Sequence, residues 1–259
     1  MPMLQTASAK LHYQLEGRED APVLVLSNSL GTHLGMWAPQ MPQLLRHFRV
    51  LRHDTRGHGQ SEVTPGPYSI AQLADDVVAL LDGLGIGRAH FCGLSMGGMI
   101  GLQLGLRHGS RIERLVLCNT AARIPPPEAW NARIDKVRAE GMAPVAAAVA
   151  GRWFTEGFVN REPARVDEAR RMLLHTAPEG YVANCAAVRD MDQREQLAGI
   201  AAPTLVIAGS QDLATPPQDG QFLAQRIAGA RYLELDAAHL SNWEQPERFT
   251  AAVVEFLTA

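Results

Sequence analysis

The sequence has few of the features that mark disulfide-rich or redox proteins. It contains three cysteines, an odd number. Two of them, Cys92 and Cys118, fall at the ends of predicted buried strands, where thiols behave as small apolar side chains. We therefore predict that these two and Cys185 are reduced and structural, which excludes a fold held together by disulfides.

Signals for export or membrane insertion are also scarce. The segment Met1–Thr6 lacks the basic region and apolar stretch of a secretory signal. The longest run of small residues, Ala143–Gly151, is far shorter than the roughly 20 residues that span a bilayer. A soluble, cytoplasmic protein with no membrane partner is predicted.

Charge and metal-ligand patterns exclude two further classes. The net charge is −3, and scattered Lys and Arg residues provide no basic patch for a nucleic acid. The chain has no compact Cys/His cluster and no His-Glu-x-x-His string, and Gly93–Gly98 does not match a phosphate loop. Small-molecule chemistry without a metal or organic cofactor is expected, and the sequence gives no indication of oligomeric state.

Apolar runs alternate with helical patterns along most of the chain, which predicts an α/β fold with a mostly parallel sheet covered by helices on both faces. The predicted strands are Leu11–Leu15, Val23–Ser27, Val50–His53, Ala89–Cys92, Leu115–Asn119, Thr204–Ala208 and Arg231–Leu235. The predicted helices of this part are Met36–His47, Ser69–Leu84, Met96–Arg107, Gln218–Ile227 and Glu247–Leu257.

The middle of the chain departs from this alternation. Between residues 122 and 197 the strand signal disappears and the pattern becomes helical after Pro125–Pro127. About 75 residues is longer than a single crossover between neighbouring strands requires. We predict a helical cap at 122–197, inserted into a core formed by 1–121 and 198–259, with the substrate pocket between the cap and Ser95.

Ser95 is the predicted nucleophile. It lies in Gly93-Leu94-Ser95-Met96-Gly97, directly after a predicted strand and at the start of a predicted helix. In that context a G-x-S-x-G string indicates a nucleophile elbow, in which a strained turn exposes the serine hydroxyl at the edge of the sheet. The flanking glycines would allow the strand and the helix to approach closely.

A serine hydroxyl needs a base and a carboxylate to become a nucleophile at neutral pH. The carboxylate should follow a strand, because ligands bind beyond the carboxyl ends of parallel strands. Asp212 fits, since it follows the strand at Thr204–Ala208. Asp54 precedes the serine, Asp236 is still at a strand terminus, and Asn119 cannot carry the charge.

His239 is the predicted base. It is one of nine histidines, and it lies after the last predicted strand and before the last helix. The order Ser95, Asp212, His239 is the order that hydrolases with a nucleophile elbow use. A single histidine is usually structural, but the joint placement of all three residues favours a catalytic triad.

Two backbone N–H groups are expected to stabilise the oxyanion of the tetrahedral intermediate. One is that of Met96, which follows the nucleophile at a helix N-terminus. The second should come from the segment Asn28–Thr32, after the strand at Val23–Ser27, and we predict Leu30. The nearby loop Asp54–Ser61 is interpreted as structural, with its Asp and Arg bonded to backbone groups, and is assigned no chemistry.

The chain resembles the α/β-hydrolase family over nearly its whole length and, within that family, the enol-lactonases of aromatic catabolism. The motifs that carry the resemblance are Leu26–Thr32, Asp54–Gly59, Cys92–Gly98, Asn119–Ile124, Trp130–Ile134 and Asp236–Asn242. The resemblance implies a mostly parallel eight-stranded sheet with an inserted helical cap. It also implies a hydrolase of the β-ketoadipate pathway that opens the ring of 3-oxoadipate enol-lactone.

A carboxylated enol-lactone substrate implies a cation in the pocket, because a guanidinium can grip a carboxylate through two hydrogen bonds. Arg133 is the first choice in the cap, and Arg123 and Arg152 are the alternatives. Trp130 and Trp153 are expected to form walls around the ring. Other readings of the same triad are a carboxylesterase, a C–C bond hydrolase, or a non-catalytic receptor that binds a lactone.

Overall fold

An eight-stranded sheet forms the centre of the protein, and the computed structural model describes residues 2–259. The strand order is β1-β2-β4-β3-β5-β6-β7-β8. β1 and β2 pair in antiparallel fashion and β2 is antiparallel to β4, whereas β3 to β8 run parallel. The strands are β1 Met3–Gln5, β2 Lys10–Glu16, β3 Val23–Ser27, β4 Arg49–His53, β5 Ala89–Leu94, β6 Ile112–Cys118, β7 Thr204–Gly209 and β8 Arg231–Leu235.

Helices cover the sheet, as expected of parallel strands that are apolar on both faces. Every residue of β5 and β7 is buried. The α-helices are α1 Met41–Leu44, α2 Ile70–Gly83, α3 Met96–Arg107, α4 Pro127–Glu140, α5 Ala143–Ala147, α6 Val149–Trp153, α7 Glu156–Arg161, α8 Pro163–Leu174, α9 Pro178–Asp190, α10 Pro217–Arg226, α11 Ser241–Glu244 and α12 Pro246–Thr258. Three 3₁₀ helices lie at Leu34–Trp37, Gly109–Arg111 and Arg194–Gly199.

The predicted fold class is confirmed, and most of the predicted elements are present. The helix predicted at Met36–His47 is wrong, because that segment forms a 3₁₀ turn, a single α-helical turn and further turns. Pro39 and Pro42 interrupt it, since proline lacks the N–H group that a continuous helix needs. The short strand β1 is not among the elements predicted from sequence.

The segment between β6 and β7 contains the six helices α4 to α9. Trp130, Ile134 and Val137 form the buried face of α4, and Phe154 stacks on Phe158 with ring centroids 5.0 Å apart. The helical content of this segment matches the expectation, and its description as a separate cap at 122–197 remains a prediction. Across residues 2–259 the structure contains no helix with the length and apolarity needed to cross a membrane.

The carboxyl ends of β5, β6, β7 and β8 meet at one edge of the sheet, because these four strands are neighbours and parallel. Ser95 follows β5, Asn119 follows β6, Asp212 lies in the turn after β7, and His239 lies in the loop after β8. Residues far apart in sequence are therefore brought to one place by the strand order, which is the crevice where ligands bind in sheets of this type.

Candidate active site

The turn at Ser95 has the geometry predicted for a nucleophile elbow. Ser95 adopts φ 58° and ψ −117°, an uncommon conformation for a residue with a side chain. Its N–H donates to the carbonyl of Cys118 at 2.8 Å, and its carbonyl accepts from the Thr120 hydroxyl at 2.7 Å. These two bonds to the segment at the end of β6 hold the turn in place.

The two glycines of the motif are required by close backbone contacts. A Cβ atom on Gly93 would lie 2.1 Å from the carbonyl oxygen of Gly97. A Cβ atom on Gly97 would lie 2.2 Å from the carbonyl oxygen of Ser27, at the end of β3. Strand, turn and helix can approach this closely only because both positions lack a side chain.

Asp212 accepts five hydrogen bonds from protein donors. Its Oδ2 accepts from the His239 ring Nδ1 at 2.8 Å, the Thr215 hydroxyl at 2.8 Å and the Asn119 amide at 3.0 Å. Its Oδ1 accepts from the N–H groups of Ala214 and Thr215, at 2.7 and 3.0 Å. Burial alone would raise the pKa of the Asp212 carboxyl, but His239 and these hydrogen bonds outweigh burial and lower it.

Asn119 supports this carboxylate, a role that the sequence did not reveal. It lies directly after β6 with φ 45°, and its amide nitrogen donates to Asp212 and to the carbonyl of Ala238 at 3.1 Å. Its own carbonyl oxygen accepts from the Ser241 hydroxyl at 2.5 Å. The available signal was its position at the carboxyl end of a central strand, where it was considered only as an alternative acid.

Ser95 and His239 line the same cavity. Within residues 2–259, the His239 ring forms hydrogen bonds with Asp212 and, at 3.5 Å, with the Thr215 hydroxyl. No hydrogen bond in this part of the chain joins the ring to the Ser95 hydroxyl. In hydrolases such serine–histidine bonds are often long until a substrate tightens them. The fold therefore places the predicted acid and base in contact, and it places the predicted nucleophile in the cavity that His239 also lines.

The two predicted oxyanion donors also border this cavity. Met96 is the first residue of α3, and Leu30 lies in the loop after β3. Within residues 2–259, no backbone–backbone hydrogen bond uses either N–H group. Both are therefore available to a negatively charged oxygen beside Ser95, and the positive end of the α3 dipole adds to that attraction.

The cavity has a volume of about 270 Å³, and three cationic residues from the segment between β6 and β7 line it. Arg133, Lys136 and Arg152 all line it, and the described residues around it include no aspartate or glutamate. In the part of the chain that the structure describes, none of the three forms an ion pair. Burial and the charge of Arg133 lower the pKa of the Arg152 guanidinium.

The two tryptophans predicted to bind the substrate are part of the cavity wall, and their role in binding stays a prediction. Trp130 and Trp153 line the cavity, and the Arg133 guanidinium carbon is 4.7 Å from the centroid of the Trp130 ring. Arg123 does not line the cavity and instead pairs with Asp192 at 3.8 Å. Of the three arginines considered from the sequence, Arg133 and Arg152 therefore face the predicted nucleophile's cavity and Arg123 does not.

The segment that carries Trp153, between β6 and β7, is bonded to the loop that carries His239. The N–H of Leu240 donates to the Trp153 carbonyl at 3.0 Å. The buried carboxylate of Glu244 accepts from the N–H of Ala238 at 2.7 Å and from the Thr155 hydroxyl at 2.5 Å. These bonds fix the end of α6 against the residues on either side of His239.

The sequence and the fold both match known hydrolases. Residues 22–141 match the family model described as alpha/beta hydrolase fold. The chain is 44% identical over 250 residues to 3-oxoadipate enol-lactonase 2 from Acinetobacter baylyi, covering 96% of this chain and 94% of that protein. The chain belongs to the α/β-hydrolase family.

Two solved structures extend this comparison. An enol-lactonase from Burkholderia xenovorans LB400 is 54% identical, covers 100% of both chains and superposes with a TM-score of 0.98. A thermophilic esterase from Thermogutta terrifontis, solved with malate bound, is 32% identical with a TM-score of 0.92, covering 99% of this chain and 97% of its own. Both the predicted family and the resemblance to enol-lactonases are therefore confirmed, and the chain is a hydrolase.

Proposed function

We propose that this hydrolase opens the ring of 3-oxoadipate enol-lactone to give 3-oxoadipate. The observation that carries the proposal is the cavity that Ser95 lines together with Arg133, Lys136 and Arg152, with no acidic side chain among the described lining residues. Such a cavity suits a small ester that bears a carboxylate, because an anion would neutralise charges that otherwise repel one another. The relatives named above as enol-lactonases support the same substrate.

In the first half of the proposed reaction, His239 accepts the Ser95 hydroxyl proton while Oγ attacks the lactone carbonyl carbon. The N–H groups of Met96 and Leu30 stabilise the resulting oxyanion. Asp212 holds the His239 ring through Nδ1 and stabilises its positive charge. Collapse of the intermediate breaks the ring C–O bond, and His239 returns the proton to the enol oxygen, which leaves an acyl group on Ser95.

In the second half, a water molecule gives a proton to His239 and attacks the acyl carbonyl. The second tetrahedral intermediate releases Ser95, which regains its proton from His239, and the new carboxylate leaves. The leaving enol remains tethered to the acyl group, so it could close the ring again. Its conversion to the ketone removes that nucleophile, which favours the forward direction without any contribution from the protein.

The decisive experiment compares a carboxylated and a neutral substrate. Arg133→Ala should raise KM for the enol-lactone about 10- to 100-fold, since hydrogen bonds between charged groups are each worth about 1.5–3 kcal/mol. KM for the neutral ester p-nitrophenyl acetate should change little. The matched control is Arg138→Ala on the same helix, where the side chain is exposed and pairs with Asp135. Equal effects of Arg133→Ala on both substrates would refute the role of Arg133.

The alternatives separate in the same assay. A carboxylesterase would turn over the neutral ester and not the lactone, and a C–C bond hydrolase would cleave a vinylogous diketone. A receptor that only binds lactones would bind the enol-lactone without product formation. Conversion of the lactone to 3-oxoadipate by the wild type, and its loss in Ser95→Ala, is the result expected for the proposed enzyme.

A further inference from the structure

The peptide group that carries the Leu30 N–H is held by a threonine side chain. The carbonyl of Ser29 belongs to the same peptide plane, and it accepts from the Thr32 hydroxyl at 2.8 Å and from the Thr32 N–H at 3.1 Å. In a planar trans peptide the C=O and N–H point in opposite directions. Fixing the Ser29 carbonyl on Thr32 therefore turns the Leu30 N–H away from Thr32.

The peptide plane on the other side of Leu30 is held by a histidine. The N–H of Gly31 donates to Nε2 of His58 at 2.8 Å, so Nε2 has no proton and acts as an acceptor. His58 is 1% exposed, and burial lowers its pKa to about 4. The ring is therefore neutral at neutral pH, and it keeps its acceptor throughout the pH range in which serine hydrolases work.

The loop that carries His58 is itself anchored to the segment around Leu30. Asp54 accepts from the N–H of Leu34 at 2.8 Å through one oxygen and from the N–H of Gln60 at 2.9 Å through the other. The Asn28 amide donates to the carbonyl of His53 at 2.7 Å. This loop, which the sequence indicated to be structural, is thus rigidly joined to the predicted oxyanion loop.

We propose that His58 and Thr32 are positioning residues that together aim the Leu30 N–H at the oxyanion. The proposal rests on the proposed function, because it requires Leu30 to be an oxyanion donor. The two freely rotating bonds of Leu30 lie between two peptide planes, and one side chain fixes each plane. An oxyanion donor is effective only if it is oriented before the reaction, since reorienting it during the reaction would cost part of its stabilisation.

Two matched pairs of variants test the proposal. His58→Leu removes the acceptor at nearly constant volume, whereas His58→Gln offers an amide oxygen to Gly31. Thr32→Val removes the hydroxyl and keeps the shape, whereas Thr32→Ser keeps the hydroxyl. Turnover is measured with both the enol-lactone and p-nitrophenyl acetate, together with thermal unfolding to establish that each variant is folded.

His58→Leu should lower kcat about 10- to 100-fold on both substrates, less than complete removal of an oxyanion donor, which costs about 10²–10³-fold. KM should stay within about twofold, because the substrate carbonyl is uncharged before attack. Thr32→Val should lower kcat about 3- to 10-fold, since the Thr32 N–H still holds Ser29. His58→Gln and Thr32→Ser should recover most of the loss.

A tetrahedral probe separates positioning from general damage. Butylboronic acid binds serine hydrolases as a tetrahedral adduct, so its inhibition constant should rise in His58→Leu by about the factor lost in kcat/KM. Unchanged kcat in a folded His58→Leu variant, or no recovery with Gln, would overturn the proposal. If His58→Leu does not fold, a Thr32→Val variant with wild-type kcat and boronate affinity overturns it by itself.

Failure of the proposed function has a different signature. A wild-type protein that hydrolyses p-nitrophenyl acetate and not the lactone would remove the proposed substrate, while the kcat and boronate comparisons would still decide the roles of His58 and Thr32. A Ser95→Ala variant that retains ester hydrolysis would refute the nucleophile and, with it, the positioning proposal.

Discussion

Replacing Asp212 by asparagine is the sharpest perturbation of the predicted triad. The two oxygens of the Asp212 carboxylate face five donors, among them the His239 ring and two backbone N–H groups. An asparagine presents only one oxygen, so its NH₂ group must point at donors whichever way the amide is turned. If the NH₂ group points at the N–H groups of Ala214 and Thr215, it faces backbone donors that cannot reorient.

The amide of Asp212→Asn is therefore expected to place its oxygen on the backbone donors and its NH₂ toward His239. That orientation forces Nδ1 of His239 to accept a hydrogen bond, so the ring proton moves to Nε2, which can no longer take the serine proton. The charge that stabilises the imidazolium is lost as well. The expected decrease in kcat is about 10⁴-fold, as in other triads, which corresponds to about 5.5 kcal/mol of transition-state stabilisation.

The assay is steady-state hydrolysis of the enol-lactone and of p-nitrophenyl acetate by purified Asp212→Asn, with circular dichroism as a test of folding. Asp236→Asn is the matched control, since this carboxylate is exposed, lies at the end of the neighbouring strand β8 and bonds to Gln211. Its kcat should remain close to that of the wild type. A folded Asp212→Asn variant whose rate is within about tenfold of the wild type would refute the reasoning from the triad.

Three further outcomes are expected. Ser95→Ala should lower kcat on both substrates by about 10⁶-fold, because it removes the nucleophile. It removes a single oxygen atom, so the melting temperature should stay nearly unchanged. A rate within about tenfold of the wild type would contradict covalent catalysis. Gly97→Ala should lower the free energy of unfolding, measured by urea denaturation, by about 2 kcal/mol or more, because the new Cβ atom would clash with the Ser27 carbonyl oxygen. Gly157→Ala is its control, since a Cβ atom at Gly157 would meet no other atom. Burial lowers the pKa of His58 to about 4, so below pH 6.5 the unfolded chain binds more protons than the folded one. The free energy of unfolding should therefore fall by about 2 kcal/mol between pH 7.5 and 5. His58→Gln should remove that part of the pH dependence, and an unchanged pH dependence in this variant would refute the assignment to His58.

Local sequence determined the elements that depend on short-range patterns. The helix predicted at Met96–Arg107 and the strands predicted at Val23–Ser27 and Arg231–Leu235 have the same bounds in the structure. Continuous apolar runs and glycine-flanked turns leave few alternatives over such lengths. The failed helix at Met36–His47 shows the limit, since its apolar spacing was helical but two prolines interrupt it.

The sequence alone also identified the three residues of the predicted triad, because each follows a strand and chain order restricts the choice. Tertiary structure decided how they are supported. The contact of Asn119 with Asp212 depends on the pairing of β6 with β7, and the bond from Gly31 to His58 joins loops that follow different strands. Local sequence patterns cannot predict such contacts, because the order of the strands in the sheet brings these groups together.

Both the sequence and the tertiary structure determine the cationic cavity. The sequence suggested Arg133 as the first candidate, Arg123 and Arg152 as alternatives, and the two tryptophans as walls of the pocket. It could not show which of the arginines line the cavity, because all three lie in helical or loop segments of similar character. In the folded chain two of the arginines line the cavity that contains Ser95, and the third pairs with Asp192 at the surface. The sequence thus determines which charged and aromatic side chains are available, whereas packing of the whole fold determines which of them line the cavity.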